Sequence, residues 1–212
     1  MMPATLLAIL LRVQDPTSTV EALKEPAPSG VAEALRKELT PAGTRVLQSG
    51  KPLLDLWLRS VVPTAEPRSG RGIRYGTLVP GAFLGAVQVS DGAADFKGQK
   101  VPAGLYTLRY AVQPDDGDHL DVTETRDFLL LCEAAADRTP GTLDAKALEK
   151  LSARINGRKH PAVLSLTAAT TGAAPRVATL KSPERTVLEV DVPTPAGKPL
   201  RLAIVVAGKA GE

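Results

Sequence analysis

The chain has 212 residues, 43% of them apolar, which is enough for one substantial core and not for several. Aromatic residues make up 3% and the net charge is +3, with basic residues scattered rather than set in a stripe with aromatics, so a nucleic-acid partner is not expected. The single cysteine, Cys132, excludes an intrachain disulfide and sits in the apolar run "DFLLLCEA", the place of a small buried hydrophobe rather than a reactive thiol.

Residues 3–11 form a short apolar run, too short to span a bilayer, so no transmembrane helix is expected. The run resembles the h-region of an export signal, but no Lys or Arg precedes it and no small-x-small cleavage site follows. It reads as a signal-like segment or as a first helix or strand. The stretch "QDPTSTVEALKEPAPSG" behind it reads as a linker, so residues 1–28 stand apart and 29–212 form one domain. A helix is expected near 30–40, with Ser29 as its N-cap and Val31, Ala34, Leu35 and Leu39 as its apolar stripe.

The period then changes to two. Residues 44–60 read as a hairpin turning at Ser49–Pro52. In its second strand Leu54, Leu56 and Leu58 point one way, and Asp55, Trp57 and Arg59 the other. Strands follow at 73–79, 82–90 and 105–112, the last with Tyr106, Leu108, Tyr110 and Val112 on one face. After "RDFLLLCEA" comes a second helix at 142–155, with Leu143, Ala147, Leu148, Leu151 and Ile155 as its buried face and Asn156-Gly157 as its C-cap. Four strands close the chain: "AVLSLTA", "RVATLK", "TVLEVDV" and "PLRLAIVVA". About ten strands and two helices that do not alternate with them predict a mainly β fold, an antiparallel β-sandwich with two accessory helices.

Residues 75–81, "YGTLVPG", and 94–108, "ADFKGQKVPAGLYTL", resemble a family of secreted bacterial β-sandwich domains of unknown function. Its pattern is a G-x-L-V-P segment, then a strand, then G-K-x-[LV]-P-A-G-x-Y-x-L. The match covers about 35 of 212 residues. The resemblance implies a β-sandwich in the periplasm or outside the cell, and brings no catalytic residues with it.

Two places carry candidate chemistry. In "QPDDGDHLDVTETRD", residues 113–127, six of the side chains are Asp or Glu. Asp116, Asp118, Asp121 and Glu124, with His119, are the candidate metal ligands, for calcium by clustered carboxylates. The spacing fails the EF-hand pattern, since Asp127 and not Glu stands at the twelfth position from Asp116. A solvated loop turned by its Asp-Gly pairs is the other reading. His119 and His160 with a carboxylate would make a zinc-type set, though they are far apart in sequence. The second place is Trp57 with Asp55 and Arg59, which on an open face would stack against a sugar or a peptide. A helix covering that face would make Trp57 core instead. No nucleophile elbow, Walker loop or dinucleotide glycine pattern occurs. The reading is an exported, non-catalytic binding or structural module with no required cofactor, whose partner would be a carbohydrate or an envelope protein. The alternative is a metal-binding domain or metal-dependent enzyme centred on 115–127.

Overall fold

In the computed structural model, which describes residues 17–114, 125–153, 155, 161–181 and 184–208, the first strand lies in the stretch that reads as a linker. β1, Ser18–Leu23, pairs antiparallel with β2, Gly43–Gln48. Of its six residues only Leu23 is buried, so there is no apolar alternation to read. Residues 18–28 thus belong to the folded body. β2 turns into β3, Lys51–Leu58, through Ser49 and Gly50, both at positive φ (50° and 75°), the two-residue turn whose twist suits a hairpin.

The meander continues through β4, Phe83–Val89, β5, Gly104–Val112, β6, Asp127–Glu133, and the short β7, Val163–Ser165. These seven strands form one antiparallel sheet in chain order. β8, Arg176–Lys181, β9, Glu184–Val192, and β10, Leu200–Gly208, form a second sheet in the order β10-β9-β8. The sheets join where Leu166 bridges Ile204 and the Thr167 N–H donates to the Ala203 carbonyl. At the other side β1 runs close to β8 without pairing to it. The long sheet therefore curls and the short sheet fills the gap. The expected mainly β, antiparallel fold with two accessory helices is what the structure has, in two sheets and with both helices short.

The inner faces of both sheets share one core. It draws Leu54 and Leu56 from β3, Tyr106, Leu108 and Tyr110 from β5, Leu129 and Leu131 from β6, Leu188 and Val190 from β9, and Leu202 and Ile204 from β10. Three smaller clusters lie on outer faces. One is under residues 23–39, one is under a helix, and one holds Val187, Ala203 and Val205 beneath Phe96. Among the described residues no helix is long and apolar enough to cross a membrane.

Three expected elements differ. Residues 73–79 are not a strand. Their loop pairs with itself, Ala65 N–H to Thr77 O and Arg68 N–H to Gly76 O. Gly76 passes the Arg68 carbonyl so closely that a Cβ would sit 2.0 Å from its oxygen. The first helix shrinks to one turn, α1, Glu33–Arg36, preceded by Ala32 rather than capped by Ser29. The chain leaves the helix early because Thr40 N–H bonds the Leu58 carbonyl and Leu39 bridges Arg59. Of its apolar stripe Val31, Leu35 and Leu39 are buried, while Ala34 is exposed. The second helix, α2, is Ala145–Ser152, capped by Asp144, whose carboxylate accepts the Ala147 N–H at 2.8 Å. Asn156 and Gly157 lie outside the described residues.

On the outer face of the short sheet, Glu189 is 1% exposed. It accepts the Thr170 N–H and hydroxyl and the Arg176 guanidinium at 2.9, 2.8 and 3.0 Å. Burial alone raises this carboxyl, but the Thr170 and Arg176 hydrogen bonds outweigh it and hold it below the usual carboxylate range. Asp191 is also lowered, first by its bidentate hydrogen bonds from Arg201. Carboxyls whose folded pKa is depressed stabilise above their unfolded value, and that stability goes as pH falls through the folded value. Urea midpoints measured from pH 6 down to pH 3 should therefore fall, and Glu189→Gln should be less stable at pH 6 yet flatter with pH. An unchanged acid slope in that variant would remove Glu189 from this role.

Candidate functional site

The alternation of β5 that sends Tyr106, Leu108 and Tyr110 inward leaves Thr107 and Arg109 on the outer face, where both are fully buried. Arg109 meets Asp137, itself fully buried, in the turn after β6. The pair is bidentate: Nε to Oδ2 at 2.8 Å and Nη2 to Oδ1 at 2.7 Å. Nη1 also donates to the carbonyls of Gly81 and Gly141, both at 2.8 Å, and Nη2 to that of Thr139. All five guanidinium donors are used. The Thr107 hydroxyl adds a third bond to Asp137, and the Phe83 ring lies 5.8 Å from the guanidinium carbon. Gly81 is fitted to this place: it has φ +80°, and a Cβ would sit 1.8 Å from the Leu143 carbonyl oxygen.

The consequence is a fixed wall. Residues 137–141 are held against β5 through their own backbone carbonyls, and the chain then runs through Leu143 into the Asp144 cap of α2. Leu148 of α2 is buried against Leu130 and Cys132 of β6. Leu143, Ala147 and Leu151, expected as part of the same buried face, are only half-buried. They form the floor of a groove of about 540 Å³ between the wall and α2. Arg138 and Lys150 also line it, and both are exposed. A second, smaller hollow of about 180 Å³ lies between Gln48, Arg185, Thr186 and Gly208.

The expected ligand platform around Trp57 needs correction. Trp57 does point opposite to Leu54 and Leu56, but it is 3% exposed and packs with Leu23, Val31, Leu35 and Phe83. Its indole Nε1 donates to the Glu25 carbonyl at 2.8 Å. The segment after β1 covers the face, so the ring has no surface left for a sugar or a peptide. Asp55 is engaged by Arg45, with both bonds at 2.7 Å. Arg59 bonds Glu38 at 2.9 Å and the Pro140 carbonyl at 3.3 Å.

Asp116, Asp118, His119, Asp121, Glu124 and His160 lie outside the described residues. Among the described residues no three His, Cys, Asp or Glu side chains are grouped to hold a metal ion.

The Cys132 thiol is pushed up to about 12 by burial and then by the Asp137 charge, with Arg109 opposing, which keeps it protonated at neutral pH. Tyr75 is pushed up to about 12, mainly by burial, against the bond it accepts from the Ala203 N–H. Its hydroxyl donates to Thr167 O at 2.7 Å and so pins the loop before β4 to the junction of the sheets. Tyr110, raised by burial and by Asp127, donates to that carboxylate at 2.5 Å. Asp127 also accepts the Arg74 N–H at 2.6 Å.

Sequence reasoning missed the Arg109–Asp137 pair. The available signal was an Arg centred in a strand of strong apolar alternation, which gives no hint of its partner 28 positions away. Breaking a buried pair leaves an uncompensated charge and costs about 3–5 kcal/mol. Arg109→Met should lose that much in urea unfolding, and Arg109→Met/Asp137→Leu should regain part of it because no buried charge remains. A loss below about 1 kcal/mol in the single variant would show that the pair does not hold the wall.

Comparison with family models, with curated proteins and with solved structures finds no match to this chain.

Proposed function

We propose that the chain is a non-catalytic binding module that takes a small ligand in the groove between residues 136–143 and α2. The observation that carries this reading is the half-buried apolar floor of Leu143, Ala147 and Leu151 beside a wall that Arg109 immobilises. Ligand sites are concave, mostly apolar and pre-formed, and volumes of roughly 300–1,000 Å³ are usual for them. The state of the ionisable groups favours binding over chemistry. Asp137, the one carboxylate lining the groove among the described residues, has its oxygens occupied by Arg109 and Thr107. Cys132 is 0% exposed behind Leu148.

The module works outside the cytoplasm, in the periplasm or beyond. The apolar run at 3–11 and the resemblance of residues 75–108 to a family of secreted sandwich domains support that part of the proposal. Fractionation of cells expressing the full chain should find it outside the cytoplasm, and recovery in the cytosol alone would refute the export reading.

For the groove, a screen of small metabolites by amide chemical-shift perturbation should place the shifts on 136–143 and 145–151. The bound compound should be recovered unchanged by mass spectrometry. Ala147→Phe, which fills the floor, should abolish binding while leaving the thermal midpoint within a few degrees. Conversion of the compound would overturn the non-catalytic reading, and shifts confined to other faces would overturn the choice of groove.

A further inference from the structure

The charges and the shape of the groove narrow the ligand class, on the footing that the groove is the binding site. The charge of Asp137 is opposed there by the Arg109 guanidinium, across a bidentate contact with both partners at 0% exposure. Among the described residues, the remaining charged side chains that line the groove are Arg138 and Lys150, and both are cationic. They stand on opposite sides, Arg138 on the wall and Lys150 on α2, and neither makes an ion pair with another described residue. Lys37 and Lys100, by contrast, are each paired with a carboxylate at about 3 Å even though both are highly exposed.

The floor between the two cations is aliphatic. Leu143, Ala147 and Leu151 supply it, and among the described residues no aromatic ring lines the groove. A sugar or a nucleobase would find no stacking surface there. A saturated chain needs none, since burying its methylenes against such a floor is favourable in proportion to the area removed from water. The exposed Thr139 adds a neutral hydroxyl at the wall.

We infer that the groove takes an amphipathic monoanion: a carboxylate between Arg138 and Lys150, with an unbranched aliphatic chain of several carbons lying on Leu143, Ala147 and Leu151. The guanidinium matches the carboxylate with two parallel donors, and the ammonium supplies a point charge from the far side. The two cations act on the head group alone, so they set which end of the ligand meets the wall. The aliphatic floor sets how much chain is held.

The test uses the full chain and three eight-carbon probes that differ only in their head: octanoate, 1-octanol and octylammonium. Binding is followed by calorimetry and by amide shifts. Octanoate should bind at least about tenfold more tightly than octanol, a difference of about 1.4 kcal/mol, and octylammonium more weakly than either. Arg138→Gln/Lys150→Gln should bring octanoate down to the level of octanol and leave octanol unchanged. Both side chains are exposed, so this variant keeps the fold, and its thermal midpoint checks that. Equal binding of octanoate and octanol, both lost in Ala147→Phe, would overturn the anionic class and leave the groove standing. Octanoate that shifts only residues outside 136–151 would overturn the site. No binding of any probe, together with no groove shifts in the metabolite screen, would overturn both readings.

Discussion

A single buried ion pair organises the outer face of this fold. Arg109 and Asp137 are both fully removed from water, which is expensive for two charges unless every donor and acceptor finds a partner. Here the partners are found in full. The carboxylate takes two of the five guanidinium donors, three backbone carbonyls take the others, and Thr107 completes Asp137. A pair of leucines would fill the same space without the desolvation penalty. It would not fix the carbonyls of Thr139 and Gly141, which Arg109 holds; the Gly81 carbonyl has the Leu143 N–H as a second partner. The ion pair is therefore better understood as a device for geometry than for net stability. It holds irregular backbone in one place over a sheet that has no hydrogen bonds to offer on its face.

The same economy appears in the other buried polar groups. Tyr75 and Tyr110 converge near Asp127, and Glu189 sits between Thr170 and Arg176. In each case a long loop is tied to a strand by a side chain that is apolar in body and polar at the tip. With few aromatics in the chain, these tyrosines fill core and also satisfy backbone, and their hydroxyls stay protonated because burial disfavours the charged form. Loops 61–82 and 167–175 are held by such ties, rather than by cores of their own.

What could be read in the sequence was what depends on period. The strands around Leu54 and Leu108 alternate, and the alternation named one face of each, which is the inner one; the runs that hold Leu129, Leu188 and Ile204 could be read as strands but not by face. β1 could not be read, because an edge strand with one buried residue carries no period. The loop at 73–79 imitated a strand because Ile73, Tyr75 and Leu78 are apolar, yet Tyr75 is placed by two hydrogen bonds to residues far along the chain. The single-turn helix at 33–36 kept Val31, Leu35 and Leu39 of its stripe, left Ala34 exposed, and lost its length to pairing with β3, a contest that local propensity does not decide. Trp57 shows the same limit from the other side. Its place opposite Leu56 was legible, and so was the alternative of a covering helix, which Val31 and Leu35 fulfil; the share of Leu23 was not, since it belongs to a segment read as a linker.

The groove was illegible for a related reason. Its floor residues share the helical spacing that marks a buried face, and Leu148 on that face is indeed buried. The others stay half-open because α2 is placed by two anchors that do not close on each other. Asp144 caps its start, and Leu148 docks on β6, while the wall in front is already fixed by Arg109. The hydrophobic effect drives out of water any apolar surface that can move, yet Leu143 and Leu151 stay half-buried beside a wall that Arg109 holds at the Thr139 and Gly141 carbonyls. A wall pinned through its own carbonyls is not free to close over them. The buried ion pair thus has two effects at once: it keeps the irregular backbone ordered, and it keeps the apolar floor from being covered by its own chain.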